Sequence, residues 1–318
     1  MVQPVVNDKE FIELWNEHRS IRKVAEITGV NSRNVHVRRR NIEKRYNIQL
    51  RADNPRTAVF PSAGGVYPGR LELGIRNGTV LVFSDAHFWP GIRTAAFRGL
   101  LWAIKTLKPA AVIANGDIFD GATISRHPRI MWSRAPSVIE ELKACQAAMG
   151  EIEAAAKHAK LVWTLGNHDA RFETRLANST PEFSEVMGFK IADHFTRWQL
   201  CWSVWPTEHV VIKHRFKGGI HATHNNTVHA GKTMITGHLH SLKVTPFSDY
   251  TGTRFGVDTG TLADLYGPQF QDYTEDNPVN WRSGFAVLTF HDGALLWPEL
   301  VHRLRDDAVE FRGKVIEV

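Results

Sequence analysis

Cysteine is scarce in this sequence: Cys145 and Cys201 are the only two among 318 residues. That excludes a disulfide framework and a thiolate zinc cluster, and it fits a reducing interior. Long apolar runs are missing too. None approaches the roughly 18–20 residues that a bilayer-spanning helix needs, and Met1-Val2-Gln3-Pro4 lacks the basic-then-apolar layout of a secretory signal. The expectation is a soluble, unexported, cytoplasmic protein with no membrane partner. There is no Gly-x-x-x-x-Gly-Lys-Ser/Thr loop for nucleotide hydrolysis and no Gly-x-Ser-x-Gly elbow for acyl transfer. Internal repeats at solenoid periods are absent as well. Hydrophobic residues at 43% and charged residues at 23% argue against a disordered chain and a coiled coil, and the length points to two domains. With thiolates excluded, a metal site must draw on His, Asp, Asn or Glu, and sixteen histidines supply it.

Charge is unevenly placed. The formal net charge is +6, yet residues 1–57 hold twelve Lys or Arg against seven Asp or Glu, leaving 27 against 26 for residues 58–318. A basic front ahead of a near-neutral body suits either a nucleic-acid contact or a solvated helix face. Pattern favours the first. Asn7 and Asp8 can cap a helix carrying Phe11, Ile12 and Trp15, and Ser20 can cap a second helix over 21–28 that Gly29 stops. Asn31 or Ser32 then starts a third, through about Tyr46. Residues 21–35 resemble the helix-turn-helix family, with small Ala25 where two helices touch, Gly29 at the turn and Val35 anchoring the second helix. The resemblance implies a helix in the DNA major groove, with Asn31, Ser32, Arg33 and Asn34 near base edges and Arg38, Arg39, Arg40, Lys44 and Arg45 near phosphates. Similar three-helix units also serve in docking and dimerisation, which leaves a homodimer open. The expected domains are 1–51 for this unit, 52–77 for a linker punctuated by Gly and Pro, and 78–318 for the body.

The body alternates short apolar runs with helical patterns, which implies βαβ-like units around a buried sheet. The residues just past each run are the informative ones. Residues 79–83 lead into Ser84-Asp85-Ala86-His87, 110–114 into Asn115-Gly116-Asp117-Ile118-Phe119-Asp120, and 161–165 into Gly166-Asn167-His168-Asp169. Residues 210–213 lead into His214, and 233–236 into Gly237-His238-Leu239-His240. In open α/β sheets the ligand crevice lies beyond the carboxyl ends of the strands. Groups distant in sequence therefore converge there. An extended Asp-x-His or His-x-His places both side chains on one side, because direction repeats every two residues. The neighbouring glycines suggest turns pressed close to a small, highly charged object. Each motif alone is weak, but five in order after apolar runs are not.

This ordered set, Asp85-x-His87, Gly116-Asp117-x-x-Asp120, Gly166-Asn167-His168-Asp169, His214 and Gly237-His238-x-His240, resembles the calcineurin-like metallophosphoesterases. Gly260-Thr261-Leu262 and Trp281-Arg282-Ser283-Gly284-Phe285 look like the closing strands of compact microbial and phage members. The resemblance implies a bacterial or bacteriophage source. It also implies an α/β fold, a four-layer α/β/β/α sandwich preceded here by the small all-α unit. One metal would be held by Asp85, His87, His240 and bridging Asp117, and a second by Asp117, Asn167, His214 and His238. Oxygen and imidazole donors suit two divalent ions, manganese first, with iron, zinc, nickel and magnesium as the others. His168 resembles the catalytic histidine, with Asp120 placed to orient it. His214 precedes Arg215 where the family often has Gly, and His221, His224 and His229 lie nearby on what reads as an ordinary polar helix face.

Such a pair of ions can activate a shared water as the nucleophile for in-line displacement at phosphorus, with His168 protonating the departing oxygen. A protein phosphatase is disfavoured, because Asp120 is followed by Gly121-Ala122 and the third motif ends in Asp169, where that group has Arg-Gly and Glu. Joined to a basic helix-turn-helix, the site reads as a DNA-directed phosphodiesterase or nuclease. The alternative is a phosphomonoesterase on nucleotides or other small phosphoesters, and least favoured is a noncatalytic DNA-binding or assembly protein with a relic site. Trp89, Trp132, Arg134, Phe172, Arg175, Phe195, Arg197 and Trp198 interleave aromatic and basic character that could line a groove, although core or rim packing is their commoner role.

Overall fold

The computed structural model describes residues 6–275 and 277–318, apart from 47, 49, 51–65, 128–131 and 133. The chain divides near residue 63 into a front unit and a body. In the front unit, α1 (Asp8–His18) opens on a capping box: the Asn7 side chain accepts from Glu10 N while the Glu10 carboxylate accepts from Asn7 N. Ser20 caps α2 (Ile21–Thr28), which ends on Gly29 in the left-handed region at φ 68°. Asn31 accepts from Asn34 N and so caps α3 (Ser32–Tyr46). Phe11, Trp15, Val24, Val35, Ile42 and Leu50 close a small core of their own.

The body runs β1 (Leu71–Glu72), β2 (Gly78–Phe83), α4 (Ala95–Leu107), β3 (Ala111–Ala114), α5 (Val138–Ala155), β4 (Lys160–Thr164), α6 (Asp169–Ser179), β5 (Gln199–Cys201), β6 (Val204–Thr207), β7 (Val210–Ile212), α7 (Ala222–Ala230), β8 (Thr233–Thr236), β9 (Lys243–Asp249), β10 (Gly252–Asp258) and α8 (Pro268–Thr274). Five antiparallel strands finish it: β11 (Gly284–His291), β12 (Ala294–Leu295), β13 (Glu299–Arg305), β14 (Ala308–Phe311) and β15 (Lys314–Glu317). One sheet is ordered β15-β14-β13-β11-β2-β3-β4-β5, with β12 on β11, and the other β1-β6-β7-β8-β10-β9. Strands β2 to β5 are mutually parallel, as are β7, β8 and β10.

Alternation along the strands sorts the layers. Val80, Val82, Ile113 and Val162 face Val204, Ile212, Ile235 and Val257 between the two sheets. Leu81, Phe83, Val112 and Trp163 point the other way, onto Phe97, Leu100 and Ile104 of α4 and Met149 and Ile152 of α5. Helix α7 covers the far side of the second sheet. The result is the expected four-layer α/β/β/α sandwich, with all-α helices ahead of it.

Residues 66–77 need correction: grouped with the linker on their Gly and Pro content, they belong to the body. Leu71 and Glu72 pair in parallel with Val204 and Trp205, Trp202 N donates to Pro68 O at 2.9 Å, and Ile75 is buried between the sheets. A two-residue strand carries too little alternation to stand out beside Tyr67-Pro68-Gly69. The rest of the expected linker, up to residue 65, lies outside the described residues. Deleting side-chain volume where the sheets meet should be costly: Ile113→Ala should lower the unfolding free energy in urea by about 2–5 kcal/mol. The half-exposed Ile27→Ala of the front unit should change it by less than about 0.5 kcal/mol.

Candidate metal centre

Both sheets deliver their metal-capable residues to one edge. The segments after β2, β3 and β4 carry Asp85, His87, Asp117, Asp120, Asn167 and His168, and those after β7 and β8 carry His214, His238 and His240. Three sets have ligand atoms within 4.8 Å of one another: Asp85, His87 and His240; Asp117, His214 and His238; and His87, Asp120 and His168. His214 is therefore the isolated strand-end histidine that joins the cluster. It is buried, with Nε2 3.0 Å from Asp117 Oδ2, whereas His221, His224 and His229 are exposed around α7.

The backbone reaches this arrangement differently from the expected extended strand ends. Asp85, His87, Asp117, His238 and His240 all have positive φ, from 39° to 71°, a conformation that costs a non-glycine residue about 1–3 kcal/mol. Asp85 and His87 do meet in one set, but His238 and His240 divide between two. A period of two predicts the first outcome and not the second, because left-handed residues turn the chain at each ligand. The glycines also press on something other than a bare ion. A Cβ on Gly116 would stand 2.4 Å from the His214 ring, and one on Gly166 would stand 2.1 Å from Asp117 Oδ1.

Hydrogen bonds hold the strained loops. Asp85 N, His87 N and Phe88 N donate to the carbonyls of Gly116, Asp117 and Ile118, continuing the β2–β3 pairing past the strand ends. Asp169, read from sequence only as a departure from a Glu, is the hub. Its Oδ2 accepts from Asp117 N, Gly166 N and Trp163 Nε1 at 2.8–3.0 Å, and its Oδ1 accepts from Ile118 N and Phe119 N at 2.9 and 3.1 Å. Five donors match an ionised, acceptor-only carboxylate. Glu141 of α5 does similar work one loop away, accepting from Gly121 N at 2.6 Å and Ala122 N at 3.0 Å. Burial, with the Asp120 charge nearby, pushes its carboxyl up to about 7. A residue twenty positions from the motif it supports carries no signal in a single sequence.

Asp120 does more than orient His168. Its Oδ1 takes the Nδ1 of both His87 and His168, at 2.8 and 2.9 Å, which fixes both rings and turns their Nε2 atoms away from Asp120. Burial pushes the Asp120 carboxyl up, but the hydrogen bonds from His168 and His87 prevail and hold it below its ordinary value. His168 answers in kind: burial lowers it, and Asp120 and Asp117 raise it further than burial lowers it. Arg171, also missed from sequence, donates to Asp120 O at 2.9 Å and lies 3.1 Å from His168 Nε2.

The donor set fits divalent cations. Asn167 Oδ1 and His240 Nδ1 are buried without a hydrogen-bond partner among the described residues, unusual for buried polar atoms. Burial raises the Asp117 carboxyl, but His214 beside it outweighs this and holds it well below the ordinary range. Burial likewise lowers His214, while Asp117 and Asp85 lift it to about 10. Buried carboxylates balanced by protons on imidazoles are the arrangement in which a cation can take the protons' place.

The two sides of the centre differ. Phe270 packs at a tilt and Trp281 edgewise on His240, with ring centroids 5.5 and 4.7 Å away. On the Asn167 and His214 side there is an open cavity instead. Of the residues expected to line a groove, Phe172, Phe195 and Trp198 are core, and only Arg175 lines this one. In the front unit, Arg38 donates to Val6 O and pairs with Asp8, Arg39 lies over Trp15 and pairs with Glu43, and Arg45 pairs with Asp8. Asn31 is taken up by its cap. Ser32, Arg33, Asn34, Arg40 and Lys44 stay exposed, without side-chain partners among the described residues.

Asp169→Asn sets an amide N–H₂ against backbone donors, and it should destabilise the body by about 3 kcal/mol in urea unfolding. It should also weaken Mn²⁺ binding by about 10–100-fold in calorimetric titration, as expected for loss of a residue that orients ligands. Unchanged values for both would remove the hub role.

A profile of the calcineurin-like phosphoesterase family matches residues 78–254. The Gene 54 protein of Mycobacterium phage L5 is 29% identical over 99 residues, covering 29% of this chain and 38% of that protein. The chain thus matches well under half the length of that relative. Among solved structures, an archaeal phosphodiesterase aligns at TM-score 0.35 and 11% identity, over 70% of this chain and 99% of that one. The phosphoesterase Yfce from E. coli aligns at TM-score 0.33 and 14% identity, over 69% and 97%. A dimetal phosphatase from Danio rerio aligns at TM-score 0.34 and 11% identity, over 72% and 96%. With its family match spanning more than half the chain and containing every strand-end motif, the protein belongs to the calcineurin-like phosphoesterase family.

Proposed function

We propose that the chain is a two-metal phosphodiester hydrolase directed to DNA. The observation that carries the reading is the pair of adjoining clusters, Asp85-His87-His240 and Asp117-His214-His238, with the unpartnered Asn167 Oδ1 between buried loops and His168 beside them. Asp85, His87 and His240 would hold one ion, Asn167, His214 and His238 the other, and Asp117 both. Such ions supply Lewis-acid activation of water and stabilise charge on the phosphoryl group. Manganese is the first candidate among the divalent ions that these donors suit.

The remaining chemistry belongs to the chain. Asp120 fixes His168 through Nδ1, so that Nε2 is the nitrogen that meets the leaving oxygen and gives it a proton. Arg171 sits close to the same nitrogen and favours anionic groups there. The front unit would raise the local concentration of DNA. Arg33, Arg40 and Lys44 fall at spacings of seven and four along α3, which aligns them on one exposed stripe, with Ser32 and Asn34 at the start of the helix. These five are the proposed contacts. Arg38, Arg39 and Arg45 instead support the helix that presents them.

The test pairs nitrophenyl mono- and diesters with single- and double-stranded DNA, across several divalent metals. Wild-type protein should cleave diesters, lose activity on chelation and regain it with Mn²⁺. His168→Ala should lower kcat on the diester by about 10²–10⁴-fold. Hydrolysis of monoesters alone would favour the small-phosphoester alternative. For the front unit, replacing Arg33, Arg40 and Lys44 by Ala should reduce the slope of log affinity against log salt by about 2–3 for duplex DNA. An unchanged slope would leave the front unit as a docking or dimerisation module.

A further inference from the structure

The cavity on the Asn167 and His214 side is not explained by a metal pair and a single phosphate. Its volume is about 760 Å³, in the upper part of the roughly 300–1,000 Å³ span of ligand sites. Arg126, Arg171, Arg175, Lys213 and Arg215 line it, and among the described residues no Asp or Glu does. In a chain with 39 basic and 33 acidic side chains, that segregation marks an anion-binding surface. Arg126, Arg175 and Arg215 make no ion pair or side-chain hydrogen bond with any described residue, so their charge is available. Trp202 completes the wall with its side chain 45% exposed, while its backbone N–H is fixed to Pro68 O at 2.9 Å. An exposed indole on a fixed backbone beside unpaired guanidiniums can hold a base and its phosphates together.

We infer that this groove binds the nucleotides flanking the scissile phosphate of a single-stranded nucleic acid, with Trp202 stacking on a base and Arg126, Arg175 and Arg215 pairing with phosphates along the strand. The inference rests on the proposed phosphodiester hydrolysis and adds the form of its substrate. One scissile phosphate does not need five cationic side chains around one cavity. Successive phosphates do. Stacking on Trp202 requires a free base face, which a paired duplex keeps occupied, so the substrate is an unpaired strand, end or loop. Arg171 joins the groove to the acid–base pair, since it touches both Asp120 and His168. A strand seated here leads directly to the group that would protonate the leaving oxygen.

The experiment compares two diesters on the full-length, Mn²⁺-loaded protein: bis(nitrophenyl) phosphate, which has no flanking nucleotide, and a short single-stranded oligodeoxynucleotide. The readout is the ratio of kcat/KM for the oligonucleotide to kcat/KM for the small diester. In Arg126→Glu/Arg175→Glu/Arg215→Glu this ratio should fall by about tenfold or more, mainly through KM, and the salt dependence of KM should flatten. Trp202→Ala should lower the ratio by about tenfold and Trp202→Phe should restore most of it, as expected for stacking. Hydrolysis of both substrates with the ratio within about twofold of wild type in all variants would overturn the groove assignment alone. Hydrolysis of neither diester by wild type would overturn the function reading, and this inference with it.

Discussion

Asp85, Asp117, Asp120 and Asp169 are packed into one sheet edge, each no more than 6% exposed. Desolvating a carboxylate costs several kcal/mol unless its partners are already in place, and the rest of the edge is organised around that requirement. Each Asp is answered differently. Asp169 receives four backbone N–H donors from two loops and the indole N–H of Trp163 on β4, Asp120 two imidazoles, and Asp117 His214 and the amide of His168. Asp85 receives His240 Nε2 and the amide of His238. These bonds cross between strands that are remote in sequence, so compensating the charges also fixes the loops. Left-handed backbone at five ligand-capable residues persists because the network overdetermines it.

The same network gives the centre its polarity. On the His240 side, Phe270 and Trp281 make an aromatic wall that packs the ring. On the Asn167 and His214 side, cations line open space. His168 and Asp120 stand at the junction, tied by Arg171 to the cationic side. In the proposed reading an anionic substrate would approach from the cationic side, and its leaving group would fall beside His168, the imidazole that a carboxylate orients without its being gathered into the Asp117 or Asp85 set.

Much of this was legible in sequence because it is written in strongly periodic or strongly capped segments. The five strand-end motifs stood out since each follows a short apolar run, and Asn7, Ser20 and Gly29 mark helix ends by their own hydrogen-bonding and conformational chemistry. What escaped was set by tertiary context. The left-handed φ of His238 and His240, which sends them to different clusters, contradicts a simple alternation. Asp169 looked like a neutral replacement in a motif, and only the fold reveals its five donors. The groove cations come from two separate loops, Arg126 from one and Lys213 and Arg215 from the segment after β7, and the aromatic residues near other arginines in sequence mostly turned into core. Arg38 and Arg39 show the converse: a basic helix spends part of its charge on holding itself to Asp8, Glu43 and Trp15.

The central claim is that the two adjoining clusters hold a pair of cations. Anomalous diffraction from crystals grown with Mn²⁺ tests it most directly, recorded above and below the manganese edge for wild type and for Asn167→Ala. The account predicts two peaks per chain in wild type, one among Asp85, His87 and His240 and one among Asp117, His214 and His238, with the second weakened in the variant. No peak at this edge, or ions bound only elsewhere, would contradict it.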